Sequence, residues 1–186
     1  MRSNFSINNN IIMNTLDNLL EKLQKFTAES KHSSDRALAV LGATYLSDLL
    51  GHLLSAFMIA EDKIVTALLG SERPLGTFGA RIVAAYALGL LGPNEYHDLL
   101  HILKIRNAFV DEYDTMNFNH ERVRQHCFAL RALREITRPE ESLTPRRMFE
   151  FAVPILARQL ALRTVQAEGE KRQPPGNFKA IDTDVG

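Results

Sequence analysis

Two of the most apolar stretches of this chain carry a single formal charge each, and such charges are the first candidates for chemistry. Asp48 is the only formally charged residue between Arg36 and Glu61, and Arg81 the only one between Thr77 and Gly92. In the stretch that follows, Arg106 projects into the arc made by Leu99, Ile102, Leu103, Phe109 and Val110 if the segment is helical, at about 100° per residue. Lys104, Asn107 and Asp111 fall on the other side. Arg81 and Arg106 are therefore expected to be largely buried. A buried guanidinium needs carboxylates or carbonyls, because an unpaired one costs several kcal/mol. Asp48 and Asp98 are the natural partners. One reading is a charged pocket that binds an anion. The other, which we adopt as the sequence expectation, is a structural ion network that fixes how three helices pack.

The remaining chemistry-bearing residues give weaker patterns. His97 and His101 are four apart on one helical face, a spacing that can grip a metal, but the H-D-x-x-H run lacks a third ligand. His120 and His126 are six apart, a poor ligand geometry on a helix. Gly76 and Gly79, in the run P-L-G-T-F-G, are too few for a phosphate-binding loop and follow no strand. Cys127 is the only cysteine, which excludes an internal disulfide and a multi-cysteine zinc site. It is read as a small buried hydrophobe. We expect no catalytic group, no metal site and no cofactor.

One stretch is locally basic. Residues 120–147 hold seven Arg against four Glu. Arg124, Arg131, Arg134 and Arg138 fall within about 80° on a helical wheel if one helix carries them all. Such a stripe is a candidate contact surface for phosphates, although solvated helix faces look the same. No pair of short helices with a tight glycine turn marks a helix-turn-helix.

The elements that hold these residues are read as helices throughout. Apolar spacing of three and four recurs, and period-two alternation is absent. The chain has 186 residues, enough for one domain with its own core, and its 22 basic and 22 acidic side chains balance. That balance removes the general electrostatic warrant for nucleic acid or anionic membrane as the main partner. Residues 1–13 read as a flexible leader without signal-peptide character, with Met13 a second candidate start. Residues 14–167 form the helical domain and 168–186 a disordered tail. The expected fold is all-α, a single irregular domain of about seven helices. The first runs from about Thr15 to Phe26. The second, capped by Ser34 or Asp35, runs to about Ile59 and is apolar almost all round, which we read as a buried central helix rather than a membrane span. Then come Asp62 to Leu69, Thr77 to about Leu91 ending at Gly92-Pro93, about Asn94 to Glu112, and His120 to about Ile136. The last is capped by Thr144 with Pro145 at its first position, runs to about Gln166, and should kink at Pro154.

The central block resembles the mannitol operon repressor family. The residues that carry the resemblance are Arg73-Pro74-Leu75-Gly76-Thr77-Phe78-Gly79-Ala80-Arg81-Ile82, Ala84 to Leu90, Glu95-Tyr96-His97-Asp98-Leu99, and Lys104-Ile105-Arg106-Asn107-Ala108-Phe109. Tyr45 to Leu50 and Pro145-Arg146-Arg147-Met148-Phe149 also fit, so the likeness spans about residues 33–165. It implies an all-helical regulator of carbohydrate uptake genes, and the composition is that of a cytoplasmic protein. It also implies a protein partner, in place of direct sequence-specific DNA binding, and is compatible with a homo-oligomer. Family members often read I-R-N-x-F-A-H, whereas this chain has Val110-Asp111 at the end of the block. The R-N-x-x-x-H pattern is similar to HEPN-type ribonucleases, which gives the alternative of an RNA-associated protein with a degenerate ribonuclease motif. With Asp111 where the imidazole would stand, a proton-transfer group is missing and a carboxylate repels phosphate.

Overall fold

The structure is a computed structural model that describes residues 21, 26–29, 32–112, 116–133 and 143–177. The expected leader, most of the expected first helix, Arg134 and Arg138 lie outside the described residues. Six complete helices follow in order: α1 Asp35–Phe57, α2 Asp62–Leu69, α3 Phe78–Ala87, α4 Pro93–Asp111, α5 Glu121–Ala129 and α6 Pro145–Gly169. Residues 26–29 are also helical, and no strand occurs among the described residues. The fold is all-α, as the apolar periodicity predicts.

Helix α1 is the axis of the molecule. The Ser34 hydroxyl accepts from the Ala37 N–H at 3.2 Å and starts it. Leu38, Leu46, Leu50, Leu53 and Leu54 are fully buried, and each such side chain contributes roughly 1.5–3 kcal/mol of transfer free energy. By length and composition α1 would suffice to cross a membrane, but its leucine face packs against α6, α4 and α3. Asp48, by contrast, keeps its side chain 66% exposed.

Two helices end earlier than their apolar pattern predicts. Helix α3 stops at Ala87 instead of about Leu91. Gly89 adopts φ 74°, and the Leu90 and Gly89 N–H groups donate back to the Ala85 and Tyr86 carbonyls at 2.9 and 3.0 Å. This is a Schellman termination, which needs a residue that tolerates the left-handed region. Helix α5 stops at Ala129 instead of about Ile136, where a side chain of α4 takes the N–H groups that follow.

Helix α6 begins as the Thr144-Pro145 pair predicts, with the Thr144 hydroxyl accepting from Arg147 N–H at 3.3 Å. It runs through Pro154 without interruption to Gly169, past the expected domain end. Beyond it, Arg172 donates its N–H to the Phe57 carbonyl at 2.8 Å and lays its guanidinium 5.6 Å over the Phe57 ring. The start of the expected tail is thus docked on the end of α1. Arg146 ties the two helix starts together: it pairs with Asp35, with Glu150 at 2.9 Å, and with the Ser33 carbonyl at 2.9 Å. Asp35 in turn accepts the Phe118 N–H at 3.0 Å. These contacts give the Pro145-Arg146 run its structural role.

Candidate functional site

Arg81, on the first turns of α3, reaches back between the α2–α3 loop and α1. Nε donates to the Leu75 carbonyl at 2.9 Å, Nη2 to the Leu69 carbonyl at 2.9 Å, and Nη1 to the Ser47 carbonyl and hydroxyl at 2.9 and 3.2 Å. The guanidinium lies flat against Gly51, where an added Cβ would meet Nη1 at 3.3 Å. The loop it holds is tight: a Cβ at Gly76 would sit 2.3 Å from the Ser71 carbonyl oxygen. Arg81 is therefore a clamp whose hydrogen bonds all go to neutral oxygens. Asp48 Oδ1 is 3.9 Å away, at the edge of ion-pair range.

This clamp forms one wall of a cavity of about 690 Å³ between α1, α3 and α4. Asp48, Arg81, Arg106 and Asn107 all line it, with Ser47 and Thr77. The structure thus brings together three of the four residues of the expected network, with Asn107 of the family block beside them. Arg106 is half-buried, and the hydrogen bond it makes is to its neighbour's Asn107 Oδ1 at 3.0 Å. Among the described residues no carboxylate lies within ion-pair distance of it. The hydroxyls of Ser47 and Thr77 were missed from sequence. Thr77 is the N-cap of α3 and accepts the Ala80 N–H at 3.2 Å; a Thr before an apolar helix was the signal that could have found it.

Asp98 is elsewhere, and here the expected network is corrected. Its carboxylate is 1% exposed and accepts the Arg131 N–H with both oxygens, at 2.9 and 3.0 Å, and the Ala132 N–H at 2.7 Å. It pairs with backbone, not with Arg81 or Arg106. The same contacts explain the early end of α5: the N–H groups of Arg131 and Ala132, which a continuing helix would turn inward along its own axis, are captured by a side chain of α4. The expected basic stripe is corrected with it. Arg124 is on α5, exposed, 5.6 Å over the Phe128 ring. Arg131 lies beyond the helix and donates to Asn94 Oδ1 at 3.0 Å. One helical face does not carry both.

Three histidines come together on α4 and α5. His101 Nδ1 is 3.1 Å from His126 Nδ1, and His101 Nε2 is 3.4 Å from His97 Nε2. His101 uses opposite ring edges toward its two neighbours, so the three do not converge on one point, and no metal-ligand group of three occurs among the described residues. Burial, and then the charges of His97, His126, Lys104 and Arg131, push the His101 imidazole down to about 4. Burial and Lys104 also lower His126. Cys127 beside them is fully buried, and burial pushes its thiol up to about 12. It is not a nucleophile at neutral pH.

Arg106 and Asp111 open to different cavities. Arg106 lines the large one; Asp111 lines a second, of about 230 Å³, with Lys104, Arg122, Gln125 and His126. Among the described residues only Asn107 borders both. The site can hold an anion by hydrogen bonds and charge, and among the described residues it contains no paired nucleophile and base.

The X-ray structure of the MtlR-HPr complex from Escherichia coli is similar in fold, with a TM-score of 0.61 and 14% identity over 75% of this chain and 98% of that one. No curated protein matches the chain. A family model described as mannitol repressor matches residues 15–151, which takes in α1 to α5, both arginines of the cavity and the start of α6. The chain belongs to the MtlR mannitol repressor family.

Proposed function

We propose that the protein is a non-enzymatic cytoplasmic regulator of the repressor type that acts by contact with another protein. The observation that carries this reading is the fold neighbour, whose structure is a complex of MtlR with HPr; an HPr-type protein is the partner we assign. Family membership supports the regulatory half. The charge balance and the break of α5 at Ala129 support the view that direct, sequence-specific DNA binding is not the mode of action. A groove reader needs a continuous presented element and a local excess of positive charge, and Arg124 and Arg131 do not share one helix.

The test is a calorimetric titration of the purified protein with HPr from the same source, beside a gel-shift series on the DNA around its gene. A saturable protein complex and only salt-sensitive, sequence-blind DNA binding are expected. A DNA complex tighter than about 10⁻⁸ M at physiological salt, in the range of true operator binders, together with no HPr binding, overturns it.

A further inference from the structure

We propose that the cavity between α1, α3 and α4 binds a small phosphate ester that carries hydroxyl groups, with Arg106 as the principal anion contact. The charge on the walls comes first. Arg81 and Arg106 face one carboxylate, Asp48, which is largely solvated and 3.9 Å from Arg81. Among the described residues the cavity therefore has one positive charge without a matching carboxylate, and Arg106 is the residue whose guanidinium makes no ion pair there. A half-buried guanidinium with a single neutral acceptor has donors to spare, in a fork geometry that suits phosphate.

The neutral groups point the same way. Ser47 Oγ accepts from Arg81 Nη1 and Thr77 Oγ1 accepts from Ala80 N–H. A hydroxyl whose oxygen already accepts keeps its O–H as a donor, so both offer donors to a ligand oxygen. Thr77, Phe78 and Gly79 also bring the start of α3 to the wall, and the positive end of a ten-residue helix adds to the preference for an anion. Size decides between a bare ion and an ester. A volume of about 690 Å³ lies within the range of small-molecule sites, well beyond one phosphate group. Asp48, at the exposed side, would repel a second phosphate but accept hydrogen bonds from ligand hydroxyls.

This inference stands on the cavity and is independent of the HPr reading. The experiment is calorimetry at constant ionic strength on the full chain with ribose 5-phosphate, inorganic phosphate and ribose as probes. Ribose 5-phosphate should bind saturably, phosphate more weakly and ribose not at all. Arg106→Gln should weaken ribose 5-phosphate by roughly tenfold or more, with a cooperative melt retained, and the remote Arg124→Gln should not. Asp48→Asn should tighten inorganic phosphate by roughly two- to fivefold, since it removes a nearby like charge. Absence of saturation by either phosphate probe up to about 10 mM, a Kd that would correspond to under 3 kcal/mol, overturns the proposal. So does a folded Arg106→Gln protein that binds like the wild type. Should Arg106→Gln not fold, an unchanged phosphate affinity in Asp48→Asn overturns it. None of these outcomes alters HPr binding, which separates this failure from that of the partner reading.

Discussion

Both carboxylate oxygens of Asp98, on α4, accept the backbone N–H of Arg131, thirty-three residues further along the chain. This bond ends α5 and fixes the turn that follows it. Removing the carboxylate leaves the Arg131 and Ala132 N–H groups without an acceptor in a part-buried setting. Asp98→Ala should therefore cost about 2–3 kcal/mol, and lower Tm by about 5–10 °C for a chain of this length. Thermal melts by circular dichroism check this. An unchanged Tm would show that α5 ends for its own reasons.

The same contact marks the limit of what the sequence discloses. Local signals were legible: Ser34, Thr144-Pro145 and Gly92-Pro93 are chemistry of adjacent residues, and α1, α4 and α6 begin at or within a residue of where they predict. Arg81 was legible as a buried charge because it stands alone in an apolar helix. Its acceptors were not, since Leu69, Leu75 and Ser47 are carbonyls that any residue supplies. Nor was the end of α5, set by a side chain from another helix, or the meeting of His126 with His101, which are twenty-five residues apart. Gly89 was local but outweighed by the apolar run that continues through Leu91.

The two cavity arginines should part company on mutation. Arg81 donates four hydrogen bonds to the end of α2, the α2–α3 loop and α1, so Arg81→Leu should cost about 3 kcal/mol or more, since it leaves several part-buried acceptors without a charged donor. Arg106 donates one to its neighbour, and Arg106→Leu should change stability by less than about 1 kcal/mol. Urea unfolding of both variants measures the difference. Equal losses would mean that Arg106 is a structural residue after all.

Stability should fall on mild acidification through the histidine cluster. His101 stands at about 4 when folded against an ordinary value near 6.5, and His126 is shifted the same way. The unfolded chain therefore takes up protons that the folded chain refuses. Their contribution is fully present above about pH 6.5 and is lost progressively toward pH 4. His97, Lys104 and Arg131 face His101 and add to the refusal. Tm should drop by about 3 °C or more between pH 7 and pH 5, and His101→Gln should flatten that slope. A slope unchanged in His101→Gln would assign the acid sensitivity to other groups.

Metal-independent RNA cleavage should be absent. A ribonuclease of the HEPN kind needs an arginine to hold the phosphate and a group near it that moves a proton. In this chain Arg106 and Asp111, five residues apart on α4, line two separate cavities. The side-chain directions differ by about 140°, so one scissile phosphate cannot touch both within a single copy. Asp111 is exposed, and it stands where such a ribonuclease has its imidazole. His126 borders the Asp111 cavity, but burial and Lys104 lower its affinity for a proton, and Arg106 does not line that cavity. Incubation of the wild type, Arg106→Ala and Asp111→His with single-stranded and structured RNA checks this. The wild type should leave both substrates intact. Cleavage that vanishes in Arg106→Ala would replace the regulator reading with an enzymatic one. Cleavage gained only in Asp111→His would show that the helix still presents its arginine as a nuclease does and that the missing imidazole alone keeps it silent.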